Sequence, residues 1–566
     1  MSALLQGPAK LTLAQKFSRL QGRMRDPEWR RFGRNLLLGK LLGLLVLPVL
    51  IFTIYKVAGL FTISSAFAAD APAGTPVLST DLADMAKNPV INPINTAWVL
   101  LGAFLVFGMQ AGFTMLEAGF CRSRETVNVL VECVFDTCVC GLLHWGIGFA
   151  FMFGGGNAFI GWHLPGDPTK SLIFMRDVDV LSVYGATGIP IVAHYVFQFA
   201  FADCASTICS GAMVGRTRFT GDVIYSIGVS GLIYPIFGHW CWGPDGFLAT
   251  MGTPGGFLES LGMNFHDFAG STVVHSIGGW VAIAGAIVLG PRLGRKFKRD
   301  GGGPMLPHDL TIAVIGGLIL WFGWYGFNPC STLSIMDNAG AGRVAMNTTL
   351  AACTGGIAAE FLSFYLIKKW DTPAMINGFL AGLVAITCPC YWVSDVGSCI
   401  LGAVAGVLVI GAMELLEHYR IDDPVGAWPV HGVCGIWGTI SLGLFASGQY
   451  QAAGSSPTGV PNIVPKSPEA LTGLFYGGGW SVLKAQCIGS LIVCSATFAA
   501  AMVMFTVLNK FGLLRVTKED ETEGLDISQH GNTAYPEYVT PEASPFTAAP
   551  VSARGAMAPI ETATAE

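Results

Sequence analysis

The sequence predicts an all-α, polytopic membrane protein. Charged residues make up only 12% of the 566 residues, whereas hydrophobic residues make up 52%. Apolar runs of about 20 residues, the length that a helix needs to cross a bilayer, recur along the chain. The pattern Asp-x-x-Gly-x-x-x-Val-His also occurs twice, at residues 267–275 and 423–431, and each copy opens such a run. Composition therefore indicates the class, and the doubled pattern indicates where a function would lie.

Net charge and cysteine content point to no further ligand. The net charge of −5 is small for this length, so it gives no indication of nucleic acid binding. The 15 cysteines include no C-x-x-C pair. Most of them lie in apolar segments, where cysteine behaves as a small hydrophobic residue. We predict neither a metal site nor a cofactor.

The N-terminal region has the layout of a secretory signal peptide. A long basic region is followed by an apolar run at residues 41–55 and then by Ala66-Phe67-Ala68, an A-x-A cleavage site. We favour a signal peptide over residues 1–68, cleaved after Ala68. The alternative is a retained signal anchor, because Lys56 interrupts the apolar stretch. Residues 69–95 would then form an extracytoplasmic segment.

Eleven membrane spans are predicted within a membrane domain at residues 96–510. They are the apolar runs of helical length. Their approximate ranges are 97–120, 127–154, 186–213, 219–242, 268–290, 309–329, 345–367, 372–392, 396–417, 424–447 and 483–509.

The distribution of Lys and Arg predicts the orientation in an inner (plasma) membrane. The connections after odd-numbered spans carry twelve of these residues and those after even-numbered spans carry four, so the odd connections should be cytoplasmic. The mature N-terminus is then outside. A tail at residues 511–540 is cytoplasmic, and residues 541–566, rich in Ala, Pro and Thr, should be disordered. The twelve are Arg122, Arg124, Arg216, Arg218, Arg292, Arg295, Lys296, Lys298, Arg299, Lys368, Lys369 and Arg420.

The doubled pattern predicts an inverted repeat. Its copies open spans 5 and 10, and an offset of five spans makes the two halves antiparallel, with span 11 as an addition. Asp267 and Asp423 would each cap a helix N-terminus. The histidines His275 and His431 lie about 12 Å deeper, so inverted helices would bring them toward a shared centre.

Histidine within a membrane is costly enough to suggest a function, but a buried core histidine is the usual alternative. We favour the structural reading for His144 and His194, which lack the doubled context. For His275 and His431 we favour a functional pair that shares a proton or binds a small polar molecule. An acid/base enzyme is not predicted, because each Asp and His of a copy are eight residues apart at different depths.

Seven motifs occur in order along the chain. They are MQAGFTMLEAGF (109–120), FQFAF (197–201), GHWCWG (238–243), DFAGSTVVHSIGG (267–279), WFGWYGFN (321–328), DDPVGAWPVHGVCGIWG (422–438) and EGLDISQHG (523–531). In their order and spacing, these motifs resemble the ammonium transporter family (Amt/Mep/Rh, of the bacterial Amt type). The resemblance covers about residues 96–536 and implies a homotrimer with one pore in each subunit.

The resemblance also implies roles for particular residues. An outer site would recruit ammonium through an indole face and a hydroxyl, and a phenylalanine gate would lead to a pore lined by two histidines. Bacterial relatives dock a PII signalling protein at the cytoplasmic face, so that partner is implied here. The residues are Trp242, Ser331, Phe201 and Asp267 for recruitment, Phe201 and Phe327 for the gate, and His275 and His431 for the pore.

The expected function is transport of ammonium, deprotonated near the gate and passed as ammonia. Whether the proton stays outside or is relayed through the imidazoles is left open, and a sensor of the same fold with little flux is the alternative. Several residues depart from the family pattern. Asp203 stands at an apolar position, where it could bind a cation or, as we favour, pair with a neighbouring span. The other departures are Pro329-Cys330 before Ser331, Glu132 with Asp136, Gly215 and Asn532.

Overall fold

Long α-helices make up most of the molecule. The computed structural model describes residues 91–179, 182–184, 188–335, 338–450 and 471–536. Nine helices in these ranges are long and apolar enough to cross a membrane. The helices are α1 (Ile91–Phe120), α2 (Ser123–Phe153), α3 (Ile191–Gly211), α4 (Phe219–Trp242), α5 (Ser271–Leu289), α6 (Leu310–Phe327), α7 (Asn338–Ile367), α8 (Thr372–Thr387), α9 (Asp395–Tyr419), α10 (Trp428–Val433 continuing as Cys434–Phe445), α11 (Ser481–Lys510), α12 (Lys518–Glu523) and α13 (Leu525–His530).

Each predicted span contains one of these helices, but α8 and α10 are not among the nine. Helix α8 has 16 residues and ends at Thr387, two residues before Pro389, whose ring and missing N–H oppose a longer helix. Helix α10 begins four residues later than predicted, after a turn in which Gly426 has a φ of +80°. Eleven complete crossings therefore remain a prediction. The proposed signal peptide and most of the segment at 69–95 lie outside the described residues, as does the region from 537 onward.

Two small sheets form in the connection between α2 and α3, where the sequence predicted no strands. Strands β1 (Gly155–Gly156), β2 (Gly161–Leu164) and β3 (Asp167–Ser171) are antiparallel in that order, and His163 lies opposite Ser171. Strands β4 (Val183–Tyr184) and β5 (Ile189–Pro190) also pair. The predicted start of the third span at 186 is wrong, since the helix begins after Pro190, at Ile191.

Glycines allow the helices of the bundle to approach closely. A Cβ on Gly112 of α1 would lie 2.9 Å from the backbone nitrogen of Leu320 on α6. The carbonyl of Ala351 on α7 is approached by Gly382 of α8 and Gly402 of α9, and a side chain at either glycine would overlap with it. Because hydrocarbon offers no hydrophobic drive for helix association, such close contacts supply the packing energy.

One buried carboxylate joins the loops that follow α3, α5 and α9. Asp422 accepts three hydrogen bonds from Arg292, through its backbone nitrogen (3.0 Å), Nε (2.8 Å) and Nη2 (2.9 Å). Arg216 donates to the Asp422 carbonyl at 2.6 Å. Arg295 is 3.4 Å from the carboxylate and also pairs with Glu417. The predicted cytoplasmic loops therefore meet at one end of the bundle.

The C-terminal segment packs on this same end, which we call the tail end. Glu521 of α12 accepts from the backbone nitrogen of Leu293 at 2.5 Å and from Arg515 at 2.9 Å. In α13, Asp526 accepts from the backbone nitrogen of Asn128, and His530 Nε2 lies 2.9 Å from the Asn128 side-chain oxygen. The tail is thereby bonded to the starts of α2 and of the loop after α5.

The Asp422 contacts make stability depend on pH. Burial alone would raise the pKa of Asp422, but the hydrogen bonds and charge of Arg292 hold that pKa below its ordinary value. A carboxylate with a lowered folded-state pKa stabilises the fold above its unfolded pKa. This contribution is lost as pH falls from about 4 through the folded-state pKa.

We expect Asp422→Asn to lower the thermal stability of the purified protein at neutral pH. The variant leaves Arg292 buried without its partner, a change that costs about 3–5 kcal/mol. Thermal unfolding in detergent measures the effect, and the difference from the unmodified protein should shrink in acid. Asp300→Asn is the matched control, because the Asp300–Arg420 pair is exposed and worth about 0–1 kcal/mol. Equal losses in both variants would contradict the assignment.

Candidate functional site

The two aspartates of the doubled pattern bind free backbone amides at the starts of α5 and α10. Both carboxylate oxygens of Asp267 accept two hydrogen bonds each, at 2.9–3.0 Å. Asp423 accepts three in the same geometry. The predicted capping role is confirmed for both. The donors are the backbone nitrogens of Gly270, Ser271, Thr272 and Val273 for Asp267, and those of Gly426, Ala427 and Trp428 for Asp423.

The glycine of each copy has a left-handed backbone that the carboxylate contact requires. Gly270 has a φ of +118° and Gly426 a φ of +80°, a region in which residues with a Cβ are strained. A Cβ on Gly270 would also lie 2.6 Å from Val274 and 3.2 Å from the Trp242 indole. The doubled Asp-x-x-Gly is therefore one local structure used twice.

Each histidine lies in a π-helical turn. His275 belongs to the turn Ser271–Ser276 and His431 to the turn Trp428–Val433. The backbone nitrogen of His275 donates to the Gly270 carbonyl, five residues back, at 3.0 Å. Turns of this kind are rare and are found mostly at functional sites. The likeness of the two copies thus extends beyond the sequence pattern into backbone geometry.

The two imidazoles meet inside the bundle. Nδ1 of His275 lies 3.2 Å from Nδ1 of His431, and the side chains are 1% and 6% exposed. A hydrogen bond between two Nδ1 atoms needs a proton on one of them and a lone pair on the other. Nε2 of His275 has no hydrogen-bond partner among the described residues, so it is available to a small molecule.

A continuous row of rings leads from Trp242 to the histidine pair and past it. Phe201 and Phe327 are stacked in this row, with their ring planes 28° apart. The centroid distances are Trp242–Phe201 6.4 Å, Phe201–Phe327 4.0 Å, Phe327–His275 5.3 Å, His275–His431 5.2 Å and His431–Phe113 6.5 Å.

Two polar side chains of the predicted recruitment site are fixed by backbone carbonyls. Trp242 Nε1 donates to the Asp267 carbonyl at 2.8 Å, which orients the indole. Ser331 Oγ donates to the Phe327 carbonyl at 2.7 Å, so its lone pairs remain free to accept. The unusual Pro329-Cys330 begins a 3₁₀ turn, and Cys330 packs against Gly102 of α1, where a Cβ would overlap with it.

Close packing fixes the depth of the pair. Gly279 of α5 lies against Gly432 of α10, directly after His431, and a Cβ on Gly279 would overlap with the Gly432 backbone. Beyond His431 is a cavity of about 20 Å³, enough for one water molecule. Residues that line this cavity include Phe113, Glu117, Asn377 and Val430.

Sequence reasoning missed two members of this site. Trp324 stacks on His275 at a centroid distance of 5.0 Å, and its Nε1 donates to Thr387 Oγ1 at 2.9 Å. Phe113 flanks His431 on the other side. Both lie within the motifs at 321–328 and 109–120. The motifs therefore contain these residues, but nothing in their spacing distinguishes these two rings from the other aromatic residues.

The whole membrane domain matches a known family. The model of the Ammonium Transporter Family matches residues 97–535. The chain belongs to the ammonium transporter family. It is 39% identical over 463 residues to the ammonium transporter Amt2 of Archaeoglobus fulgidus, covering 81% of this chain and 91% of that one. It is 40% identical over 450 residues to a putative ammonium transporter of Synechocystis, covering 78% and 89%.

Solved structures agree with this assignment to the ammonium transporter family. A structure titled Sensor Amt Protein has a TM-score of 0.65 at 33% identity and covers 78% of this chain and 99% of that chain. Candida albicans Mep2 has a TM-score of 0.65 at 25% identity, covering 83% and 97%. The resemblance inferred from the seven motifs is confirmed, and relatives named as transporters favour a transporter over an enzyme.

The structure shows the surroundings of two residues that depart from the family pattern. Gly215 has a φ of +82°, and a Cβ there would lie 2.7 Å from the Glu125 carboxylate. Both carboxylate oxygens of Asp203 are buried without a hydrogen-bond partner of normal geometry in the described chain. The neighbouring Thr137 already donates its hydroxyl to the Cys133 carbonyl at 2.9 Å. Asp203 therefore has Thr137 of the neighbouring α2 beside it, but no hydrogen bond of normal geometry to a described residue.

We expect Gly270→Ala to be destabilising and to reduce function, because an alanine at this φ is strained and its Cβ meets Val274 and Trp242. Strain of this kind costs about 1–3 kcal/mol, which thermal unfolding measures. Gly108→Ala is the matched control, since a Cβ on the exposed face of α1 meets no atom within 4 Å. An unchanged melting temperature for Gly270→Ala would show that the left-handed turn is not needed.

Proposed function

We propose that this member of the ammonium transporter family carries ammonium across a membrane along the row of rings that ends at His275 and His431. The observation that supports it is the hydrogen-bonded histidine pair, buried behind stacked phenylalanines within a bundle of apolar helices. A passage closed by rings suits a small molecule that can shed its water and pass without charge.

Recruitment would take place at the Trp242 end. An indole face attracts a compact cation, and the lone pairs of Ser331 can accept one of its N–H bonds. Asp267 lies just below, and its backbone carbonyl accepts the indole N–H of Trp242, which orients the ring. The negative charge of Asp267 would favour a cation over an anion in the vestibule. Phe201, which contacts the indole edge, would form both the floor of this site and half of the gate.

Passage requires deprotonation, since moving an ammonium charge through an apolar row costs several kcal/mol or more, whereas ammonia crosses cheaply. The ion would lose its proton near Phe201 and Phe327. Ammonia then meets Nε2 of His275, which has no hydrogen-bond partner among the described residues, and the imidazoles offer both donor and acceptor nitrogens. Beyond His431, the small cavity would hold it before release at the tail end.

The proposal includes the arrangement in the membrane. We propose eleven spans in two inverted halves of five plus α11, assembled as a homotrimer with one pore in each subunit. The basic loops that meet at Asp422 support an inner-membrane orientation with the tail end cytoplasmic. A docked tail on that face would be accessible to a PII signalling protein, the partner expected for bacterial relatives.

A second candidate function is a sensor that binds ammonium with little flux. It is favoured by the likeness to the solved Sensor Amt Protein and by the altered turn at Pro329-Cys330 before Ser331. Reconstituted protein would separate the two. Binding of ammonium without current or uptake supports the sensor, whereas an ammonium-evoked current supports the transporter.

We expect His275→Ala and His431→Ala each to lower ammonium-evoked current by about tenfold or more, because both remove a proton donor and acceptor from the passage. Electrophysiology on solid-supported membranes carrying reconstituted protein measures this after an ammonium pulse. His418→Ala, at an exposed position at the end of α9, is the matched control and should keep its current. Unchanged current and methylammonium uptake in both pore variants would remove the role of the pair.

A further inference from the structure

A second set of polar side chains runs through the bundle away from the histidine pair. On α2, a polar or titratable residue occurs every four positions, in a stripe that winds around the helix. The sixteen steps from its first residue to its last rise about 24 Å, most of the thickness of a bilayer core. Only one of the five is a cysteine, and all five are buried. They are Asn128, Glu132, Asp136, Cys140 and His144.

Helices α3 and α4 face this stripe with polar stripes of their own. On α4 the spacing is again four, with Asp222, Ser226, Ser230 and Tyr234. Helix α3 adds His194 and Gln198, and then, one turn further, Asp203, Ser206 and Thr207. We call these three facing stripes the α2–α4 file. All of its side chains are buried, although membrane interiors normally exclude them.

Within the file, hydrogen bonds and helix packing bring polar side chains of three helices together. Asp136 accepts from Ser206 at 2.7 Å and from Thr207 at 3.4 Å. The Thr207 hydroxyl also donates to the Asp203 carbonyl at 3.0 Å, one turn back on α3. Glu132 and Asp222 lie on α2 and α4, which pack against each other. The acidic part of the file therefore connects three helices.

The file ends at the tail on one side and among rings on the other. Asn128 neighbours Glu132, and its side-chain oxygen lies 2.9 Å from His530 of the docked tail. At the opposite end, His194 stacks on Tyr184 at a centroid distance of 4.4 Å and is flanked by Phe149 and Phe153. The file is closed by aromatic rings at that end and meets polar groups at the tail end.

Many polar atoms of the file have no protein partner. Both ring nitrogens of His144, Nε2 of His194, Oε1 of Gln198 and the Tyr234 hydroxyl are buried without a hydrogen bond to any described residue. The structural histidine expected at 144 is therefore not satisfied by protein groups. Each buried unpaired group costs about 1–3 kcal/mol, and buried waters are the usual partners in such polar sites.

The acidic side chains of the file also indicate that water and protons are held there. None of the four carboxylates of the file forms an ion pair with a Lys or Arg of the described residues, although Arg218 lies one helical turn before Asp222. Several adjacent buried carboxylates without counter-ions cannot all be ionised and must hold protons. Within the described chain no group of three acidic, His or Cys side chains has metal-binding geometry.

The file also contains π-helical turns, an uncommon backbone geometry. His144 opens a π-helical turn, His144–Gly148, and Ser230 lies in another, Val229–Ile233. These two turns pack against each other where α2 crosses α4. The other two π-helical turns of the described helices carry His275 and His431. The uncommon turn is thus found in two places, at the ring-lined passage and at the file.

We propose that the α2–α4 file is a water-filled half-channel that exchanges protons between the buried carboxylates and the tail end. Water bridges the unpaired atoms, and protons move between Asp203, Asp136, Asp222 and Glu132 along them. The rings around His194 close the other end, so the file does not short-circuit the membrane. The half-channel lies beside the passage of rings and shares none of its side chains.

Infrared spectroscopy of the reconstituted protein tests the half-channel without ammonium. We expect carbonyl bands of protonated carboxyl groups, which shift promptly on transfer to D₂O because water reaches them. Absence of such bands, or bands that resist exchange in the unmodified protein, would overturn the proposal. Asp203→Asn and Glu132→Gln should each remove part of the exchanging band. Glu360→Gln is the matched control, since Glu360 is buried on α7, away from the file, and accepts from the Asp371 backbone nitrogen.

A second measurement asks whether the half-channel serves transport, and this part rests on the proposed function. Tyr234 lies on the helix that ends at Trp242, eight residues later, so the file and the Trp242 end share one helix. Asp136→Asn should then lower ammonium-evoked current about tenfold or more, while Glu360→Gln keeps it. Current that is unchanged in Asp136→Asn would overturn this link. No current in the unmodified protein would instead overturn the proposed function, and the infrared result would still decide on the half-channel.

Discussion

Backbone amides that start a helix within hydrocarbon must find an acceptor inside the protein, and this molecule meets that need twice with an aspartate. Asp267 and Asp423 each bind several such amides. Because both helices can begin inside the bundle, each brings its histidine to the middle rather than to a surface. The paired imidazoles, the ring row and the position of Trp242 all follow from those two caps.

Close packing of the helices fixes the positions of the residues that follow the two caps. Gly270 allows the turn beneath the indole, and Gly279 with Gly432 allows two helix backbones to touch beside the imidazoles. None of these positions tolerates a larger side chain without moving a residue of the site. The cost of burying polar groups is met differently in the α2–α4 file, where protein partners are missing and water is left to supply them. The same bundle thus contains a ring-lined row and a polar one.

Much of this was accessible from the sequence, for identifiable reasons. Helical segments were found because apolar runs have a length set by the bilayer, and the two aspartate caps because spacing placed them at helix starts. The meeting of His275 and His431 followed from span counting. By contrast, the contacts of Asp203 were not specified by the sequence, and Trp324 was overlooked, because both depend on which faces of helices meet. The strands near residue 160 were missed because short hairpins in polar connections carry little periodicity.

The contact between two identical atoms has a consequence for symmetry. Nδ1 of His275 and Nδ1 of His431 come from matching positions of the doubled pattern, yet only one of them can own the hydrogen between them. The two copies can therefore never be chemically equivalent at the same instant, however alike their backbones are. The pair has two tautomeric arrangements, with the hydrogen on one Nδ1 or on the other. Any event that passes a proton through the pair exchanges one arrangement for the other. Repetition of the event then requires a reset, which makes imidazole rotation or proton return part of every cycle.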